Sequence, residues 1–199
     1  ILKLLTPQEK EQIDFYCELK IDGLAIELEY DNGIFKQGST RGDGTVGEDI
    51  TQNLKTVEAI PLKITNHKSQ ITNPLVVRGE VFISKKEFKQ INEVQAVKNL
   101  PLYANPRNIA AGSVRQLDPK ITAARKLDSF AYDIIFGVET ETHAQRHEEL
   151  KKMGFKTNAY NQYCKNLEEV FHFYEHVGKI REKLAYEIDG VVVIVNNNA

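Results

Sequence analysis

The 199-residue chain has 26 Lys and Arg against 28 Asp and Glu, a formal net charge of −2, with 41 % hydrophobic and 27 % charged residues. These are ordinary proportions for a globular chain, with room for one sizeable core or two small lobes. They exclude a membrane span, because no run of about 18 apolar residues occurs, and they leave no overall basic footprint for nucleic acid, although a local basic groove is compatible with the balance.

In chain order, the first ten residues turn polar too early for a signal peptide. The first residue is Ile1 rather than Met, and the chain is read as a piece of something longer. Strands are expected at Tyr16–Leu19 and Leu24–Tyr30; in the second, Leu24, Ile26, Leu28 and Tyr30 share one face. Asp31-Asn32-Gly33 is a turn signal, so Ile34–Gly38 returns as a hairpin partner. A glycine-dense loop, Arg41 to Gly47, leads into a short helical stretch at 48–54. The polar segment 64–74 reads as a loop and Leu75–Ile83 as a strand.

Ser84 with Glu87 forms a capping-box pattern that opens a helix to about Val97. Asp128–Phe136 is a strand. Thr142 with Gln145 caps a helix to Met153, and Asn166 with Glu169 caps another to about Lys183. In that last helix Leu167, Val170, Phe171, Tyr174, Val177 and Leu184 are expected to form one apolar stripe. Val191–Val195 is a fully apolar strand. Strands and hairpins interleaved with helices, without βαβ regularity, predict an α+β fold with antiparallel sheets flanked by helices.

Cys17 and Cys164 lie too far apart for a CxxC site and are too few for a disulfide framework. They are expected to be reduced, in the core or at the surface of a cytoplasmic protein. His143/His147 and His172/His176 are each spaced i, i+4, a spacing that suits metal ligation. His172 and His176 fall on the polar side of their helix, and both pairs are expected to be solvated surface histidines. Phe171, Phe173 and Tyr174 can stack on bases, but a helical stripe of this kind is more often core.

The chemistry begins at Glu18-Leu19-Lys20-Ile21-Asp22-Gly23, between two strands. Lysine is a weak nucleophile at its ordinary pKa of about 10.4, because the ammonium has no lone pair. Desolvation or nearby cations lower that pKa, and the amine can then attack phosphorus to form a phosphoramidate. Gly23 permits close approach of the chain to a nucleotide. Alone, the Lys-x-Asp-Gly pattern is more often a solvated surface turn. The glycines of 41–47 likewise suit either a phosphate- or DNA-facing backbone or a mobile loop. Glu80, after an otherwise apolar strand, is either a ribose-binding carboxylate or a solvated strand end. Arg107 and Arg115, about two helical turns apart, lie on roughly one face and suit phosphate contacts or surface salt bridges.

The order of these blocks decides between such readings. Glu18 to Gly23 resembles motif I of the covalent nucleotidyltransferases, a superfamily of DNA ligases, RNA ligases and mRNA capping enzymes. Thr40 to Thr51, Val77 to Phe82 and Asn105 to Asp118 are similar to blocks of the NAD-dependent DNA ligases, two of them absent from ATP-dependent ligases and GTP-using capping enzymes. Ile188-Asp189-Gly190-Val191-Val192 resembles the superfamily's late strand. The resemblance runs from about Cys17 to Asn196. It implies a covalent nucleotidyltransferase (ATP-grasp-like) fold and one adenylation domain over 1–199.

By this resemblance Lys20 is the adenylated lysine, Glu18 contacts the adenine amino group, and Asp22 sits beside the nucleophile. Arg41 lies near the reacting phosphate, Glu80 binds the ribose, and Arg181 is a further essential arginine. Asp189 is an acidic residue acting with the divalent metal, and Arg107 and Arg115 bind the DNA backbone or the AMP phosphate. The implied reaction transfers AMP from NAD, with Mg2+ or Mn2+, to Lys20 and then to nicked double-stranded DNA in replication and repair. The protein is expected to be a cytoplasmic monomer with no membrane partner.

One departure stands out: the family usually places a lysine after the late strand's valines, where this chain has Ile194. The nicotinamide-mononucleotide-binding segment, OB-fold, zinc-finger, helix-hairpin-helix and BRCT regions of the family lie outside 1–199. No zinc is therefore expected, and weak or no turnover of NAD by this piece alone. Two alternatives remain: another lysine-dependent nucleotidyltransferase of the RNA ligase or capping type, and a catalytically impaired DNA-binding remnant.

Overall fold

Alternating burial builds the hairpin that starts the larger sheet. In β2 (Leu24–Asp31) Ile26, Leu28 and Tyr30 are buried while the residues between them are partly exposed, the period-2 pattern of a half-buried strand. Asn32 (φ 50°) and Gly33 (φ 74°) are both left-handed, as a two-residue type I′ turn requires, and the chain returns as β3 (Ile34–Thr40). The computed structural model describes residues 13–42, 44, 46–64 and 71–198. Part of the predicted loop 64–74 and part of the glycine loop (Asp43 and Thr45) lie outside the described residues.

Two antiparallel sheets form. One has the order β3-β2-β4-β5, with β4 at Leu75–Phe82 and β5 at Asp128–Phe136. The other is β6-β1-β7, with β1 at Phe15–Ile21, β6 at Gln162–Cys164 and β7 at Ile188–Val195. The antiparallel α+β architecture expected from the sequence is thus observed. The chain leaves β1 of the smaller sheet and enters β2 of the larger one through Asp22 and Gly23. A side chain at Gly23 would place its Cβ 2.4 Å from the Val81 carbonyl oxygen, so only glycine lets the crossing sit this close to β4.

The helices are α1 (Thr51–Leu54), α2 (Lys85–Val97), α3 (Pro106–Val114), α4 (Pro119–Ala124), α5 (His143–Lys152) and α6 (Leu167–Ile180), the last running into a 3-10 turn at Arg181–Lys183. Their starts follow local chemistry. Ser84, Asn105, Thr142 and Asn166 each accept the backbone N–H three residues on, and Thr142 with Gln145 completes a reciprocal capping box.

One core packs around β2, β4 and the helices α1, α3 and α5, and includes Ile26, Leu28, Tyr30, Leu54, Val77, Ile109 and Leu150. A second joins the two sheets under α6 through Cys17, Leu19, Phe82, Phe130, Phe173, Tyr186 and Ile188. Here two expectations are corrected. The buried face of α6 is Val170, Phe173 and Val177, while Phe171 and Tyr174 point outward. The sheet contacts α6 over a narrower arc than the six-residue stripe assumed, and Phe173 takes the central place. His143 and His147 are not solvated; both are buried, because the face of α5 that carries them packs inward. His172 and His176 are exposed as expected. Cys17 and Cys164 are free thiols, both fully buried. Among the described residues no helix is long and apolar enough to cross a membrane.

Candidate active site

A cavity of about 410 Å3 opens between the two sheets, within the usual size range for small-molecule sites. β1 contributes Glu18 and Lys20, and β7 contributes Val192 and Ile194. The larger sheet contributes Ala25, Glu80, Ala131 and Tyr132, while Arg41, Arg107 and His143 reach in from loops and helices. Strand register places these groups. Lys20 is the one exposed residue of β1, after five buried ones and before the half-buried Ile21, and it sits opposite Gly190, next to a bulge in the β1–β7 ladder.

The mouth is a cluster of charges. Lys20 Nζ donates to Asp189 Oδ2 at 2.7 Å. Arg107 Nη1 lies 3.6 Å from Asp22 Oδ1 and 3.8 Å from Asp189 Oδ2. Four residues from four segments, two cations and two anions, thus meet where the chain crosses between sheets.

Glu80 lies deeper. Burial pushes its carboxyl up to about 7, opposed by the charges of Arg107 and Lys20 and by the Gly23 N–H that donates to it. Gly23 therefore serves twice, since a Cβ there would also sit 2.8 Å from Glu80 Cγ. Burial, and after it the charge of Glu80, pushes the neighbouring Tyr132 phenol up to about 12. Tyr132 had no motif to mark it in the sequence. Its position on β5, facing the cavity one residue from Ala131, is set by sheet pairing.

Glu18 is the buried end of the site. Its Oε1 accepts from His143 Nε2 at 2.8 Å and from His147 Nε2 at 2.5 Å. A carboxylate oxygen only accepts, so both imidazoles donate. Burial alone would push the Glu18 carboxyl up, but the two histidines outweigh it and hold the group below the ordinary carboxylate value. The i, i+4 spacing of His143 and His147 was visible in the sequence; that they converge on Glu18 was not.

A model of the NAD-dependent DNA ligase adenylation domain matches residues 3–199. The chain belongs to this family. It is 50 % identical over 189 residues to a DNA ligase of Clostridioides difficile, covering 94 % of this chain and 27 % of that protein. It is 50 % identical over 194 residues to one of Lysinibacillus sphaericus, covering 95 % and 28 %, and 51 % identical over 184 residues to one of Caldicellulosiruptor bescii, covering 92 % and 27 %. The chain thus spans about a quarter of the length of these curated relatives. The crystal structure of the ligase domain of Mycobacterium tuberculosis LigD shares the fold, with a TM-score of 0.54 at 13 % identity over 93 % of this chain and 50 % of that one.

Within this adenylation domain the remaining predicted residues fall in three places. Arg41 and Arg107 line the cavity. Arg115, the C-cap of α3, instead pairs with Glu48 and reaches the Ala111 carbonyl; it shares a helix with Arg107 but points to the glycine loop. Arg181 lines a separate open cleft with Asp22, Lys85, Glu187 and Asp189. The glycines of the loop answer to the loop's own folding: a Cβ on Gly42 would lie 1.7 Å from the Val46 carbonyl oxygen, and one on Gly47 would lie 1.9 Å from that of Thr40. Ile194 lines the cavity, so the aliphatic substitution noted in the sequence falls in the wall itself. Among the described residues that line the cavity, the side-chain cations are Lys20, Arg41 and Arg107.

A divalent ion is part of what the family implies. The hard oxygen donors beside Lys20 are Asp22 and Asp189, and one or two carboxylates completed by phosphate oxygens is the usual protein share of a Mg2+ site. The donor set fits such an ion.

Proposed function

We propose that residues 1–199 form the adenylation module of an NAD-dependent DNA ligase and that Lys20 carries AMP taken from NAD. The observation that carries the reading is Lys20 Nζ at the edge of a cavity whose inner polar groups are Glu18 and Glu80 and whose mouth holds Arg41 and Arg107.

In this reading adenine lies between Tyr132 and the aliphatic wall of Val192 and Ile194, its amino group toward Glu18. Glu80 takes the ribose hydroxyls. The phosphate then reaches the mouth, where arginines stabilise the charge that develops on its oxygens. Lys20 must lose a proton before it attacks, and Asp189 Oδ2 at 2.7 Å is the acceptor within reach. The Nζ–P bond forms as the P–O bond to nicotinamide mononucleotide breaks, and that mononucleotide leaves with the electron pair. Asp22 would hold Mg2+ or Mn2+, joined by Asp189 once that carboxylate has passed its proton to water at the exposed mouth, and the ion would supply further neutralisation of the phosphate. AMP then passes to the 5′-phosphate at a nick in double-stranded DNA, and attack by the 3′-hydroxyl seals the strand and releases AMP. In this reading Arg115, outside the cavity, leaves Glu48 to contact the DNA backbone. The setting proposed is replication and repair in the cytoplasm, by a monomer.

Intact mass measured after incubation with NAD and Mg2+, on the chain alone and joined to flanking segments of a related ligase, tests the reading. The expected result is a gain of one AMP in the joined form, absent in Lys20→Ala. No adduct in either form overturns it, and a GMP adduct in place of AMP moves the chain to capping-type chemistry.

A further inference from the structure

The buried end of the cavity holds more than a base-binding carboxylate needs. His143 and His147 are one turn apart on α5, so both rings leave the same face of the helix, and that face lays both Nε2 atoms against one oxygen of Glu18. The ligand atoms of the three residues all lie within 4.8 Å of one another, and all three residues are buried. The rings are held in place from the side. Tyr16 stacks on His147 with centroids 4.6 Å apart, and it meets His143 edge-on at 5.4 Å.

As a hydrogen-bond arrangement the cluster is incomplete: one Glu18 oxygen accepts both imidazoles, one on each lone pair, while His147 Nδ1 is buried without a hydrogen-bond partner among the described residues, where buried polar atoms are nearly always satisfied. As a ligand set the cluster is complete. Two imidazoles four residues apart on a helix plus one carboxylate is the His2Glu set that binds Zn2+ with an open fourth position.

We propose that Glu18, His143 and His147 form a transition-metal site of the Zn2+ class, with its fourth position open to the cavity that Glu18 and His143 also line. Ligation needs each Nε2 to present its lone pair, so its proton moves to Nδ1; at His147 that N–H meets no acceptor among the described residues, a cost the metal bonds must offset. The donor atoms, now 2.5 and 2.8 Å apart, spread to about 3.3 Å, the tetrahedral edge for bonds of about 2.0 Å. Because the metal takes the Glu18 carboxylate, it competes with the nucleotide. That consequence rests on the adenine reading above; the site itself does not.

The test uses Co2+ and Zn2+ with the nucleotide-free chain. Co2+ is expected to bind once per chain with the visible absorption of a tetrahedral site, and Zn2+ is expected to displace it. His147→Leu, which keeps the buried volume apolar, and His143→Gln should each weaken binding by a hundredfold or more, with folding checked by circular dichroism. Adding AMP should raise the apparent Kd for Zn2+. Absence of the tetrahedral band in the wild-type chain overturns the site. So does binding unchanged in both variants, with loss instead in a His172→Ala/His176→Ala variant, which would place the ion on the exposed pair of α6. Metal binding without competition from AMP would retain the site and remove Glu18 from adenine recognition.

Discussion

The two ends of the cavity solve opposite electrostatic problems with the same residue type. At the mouth, the Lys20 and Asp189 side chains are 50 % and 40 % exposed, and Arg107 hovers at 3.6–3.8 Å from two carboxylates. Such pairs are screened by water and exchange partners at little cost, which suits the proton release and phosphate contact proposed for them. At the buried end, Glu18, His143 and His147 have side-chain exposures of 7, 4 and 1 %. There a charge is tolerable only when fully held, by the two imidazoles or by a metal ion set between them. The comparison teaches that the exposed end can exchange partners while the buried end must keep every charge held.

The largest effect expected is at the mouth, on chemistry alone: Lys20→Ala abolishes the AMP adduct while leaving the denaturation midpoint nearly unchanged, as intact mass and a urea titration will show. The next breaks the buried end. Glu18→Ala leaves two buried imidazoles without an acceptor and should cost about 2–4 kcal/mol of stability, whereas Asp189→Asn, which breaks an exposed pair, should cost roughly 0–1 kcal/mol. Equal losses in the two denaturant titrations would erase the distinction.

Glu80 sits between the two ends and sharpens the comparison through pH. Its folded-state carboxyl lies at about 7, above the ordinary 4.5. Its contribution is fully present below the unfolded value and is lost as pH rises through about 7, because the folded protein must then ionise a buried group. The loss is about 3 kcal/mol. Glu80→Gln should flatten the decline in thermal midpoint between about pH 5 and pH 8, and a decline of unchanged slope would assign it to other groups. The smallest effect expected is at the wall. Ile194→Lys adds a cation beside the proposed base and phosphate positions and should raise the rate of AMP transfer several-fold, measured by single-turnover mass gain. No change would mean that Lys20, Arg41 and Arg107 already meet the demand.

Several elements were legible because their causes lie within four residues of one another. The alternation of Ile26, Leu28 and Tyr30 specifies a strand with one buried face, and Asn32-Gly33 specifies the turn that follows it. Ser84, Thr142 and Asn166 start their helices through bonds to the third residue on. The motif around Lys20 and the block at 105–118 marked the family, since a string of residues in order is itself the signal. Other features are absent from any local window. Val170, Phe173 and Val177 became the buried face of α6, rather than the wider stripe with Phe171 and Tyr174, only when the smaller sheet offered its surface. Arg107 and Arg115 share a helix yet serve different partners, because the crossing at Asp22 comes to one and Glu48 to the other.

What the sequence determined by itself is most of the strands and helices, the caps at Ser84, Thr142 and Asn166 and the Lys-x-Asp-Gly motif, all governed by short-range hydrogen bonding and periodicity; the short strand at Gln162–Cys164 and the helix at Pro119–Ala124 were not legible in it. Only the tertiary structure decided that His143 and His147, about 125 residues beyond Glu18, would grip its carboxylate, and that Tyr132 and Ile194 would wall the cavity. Those contacts depend on strand register and on which face of α5 is buried, and a hydrophobic pattern specifies burial without specifying the partner.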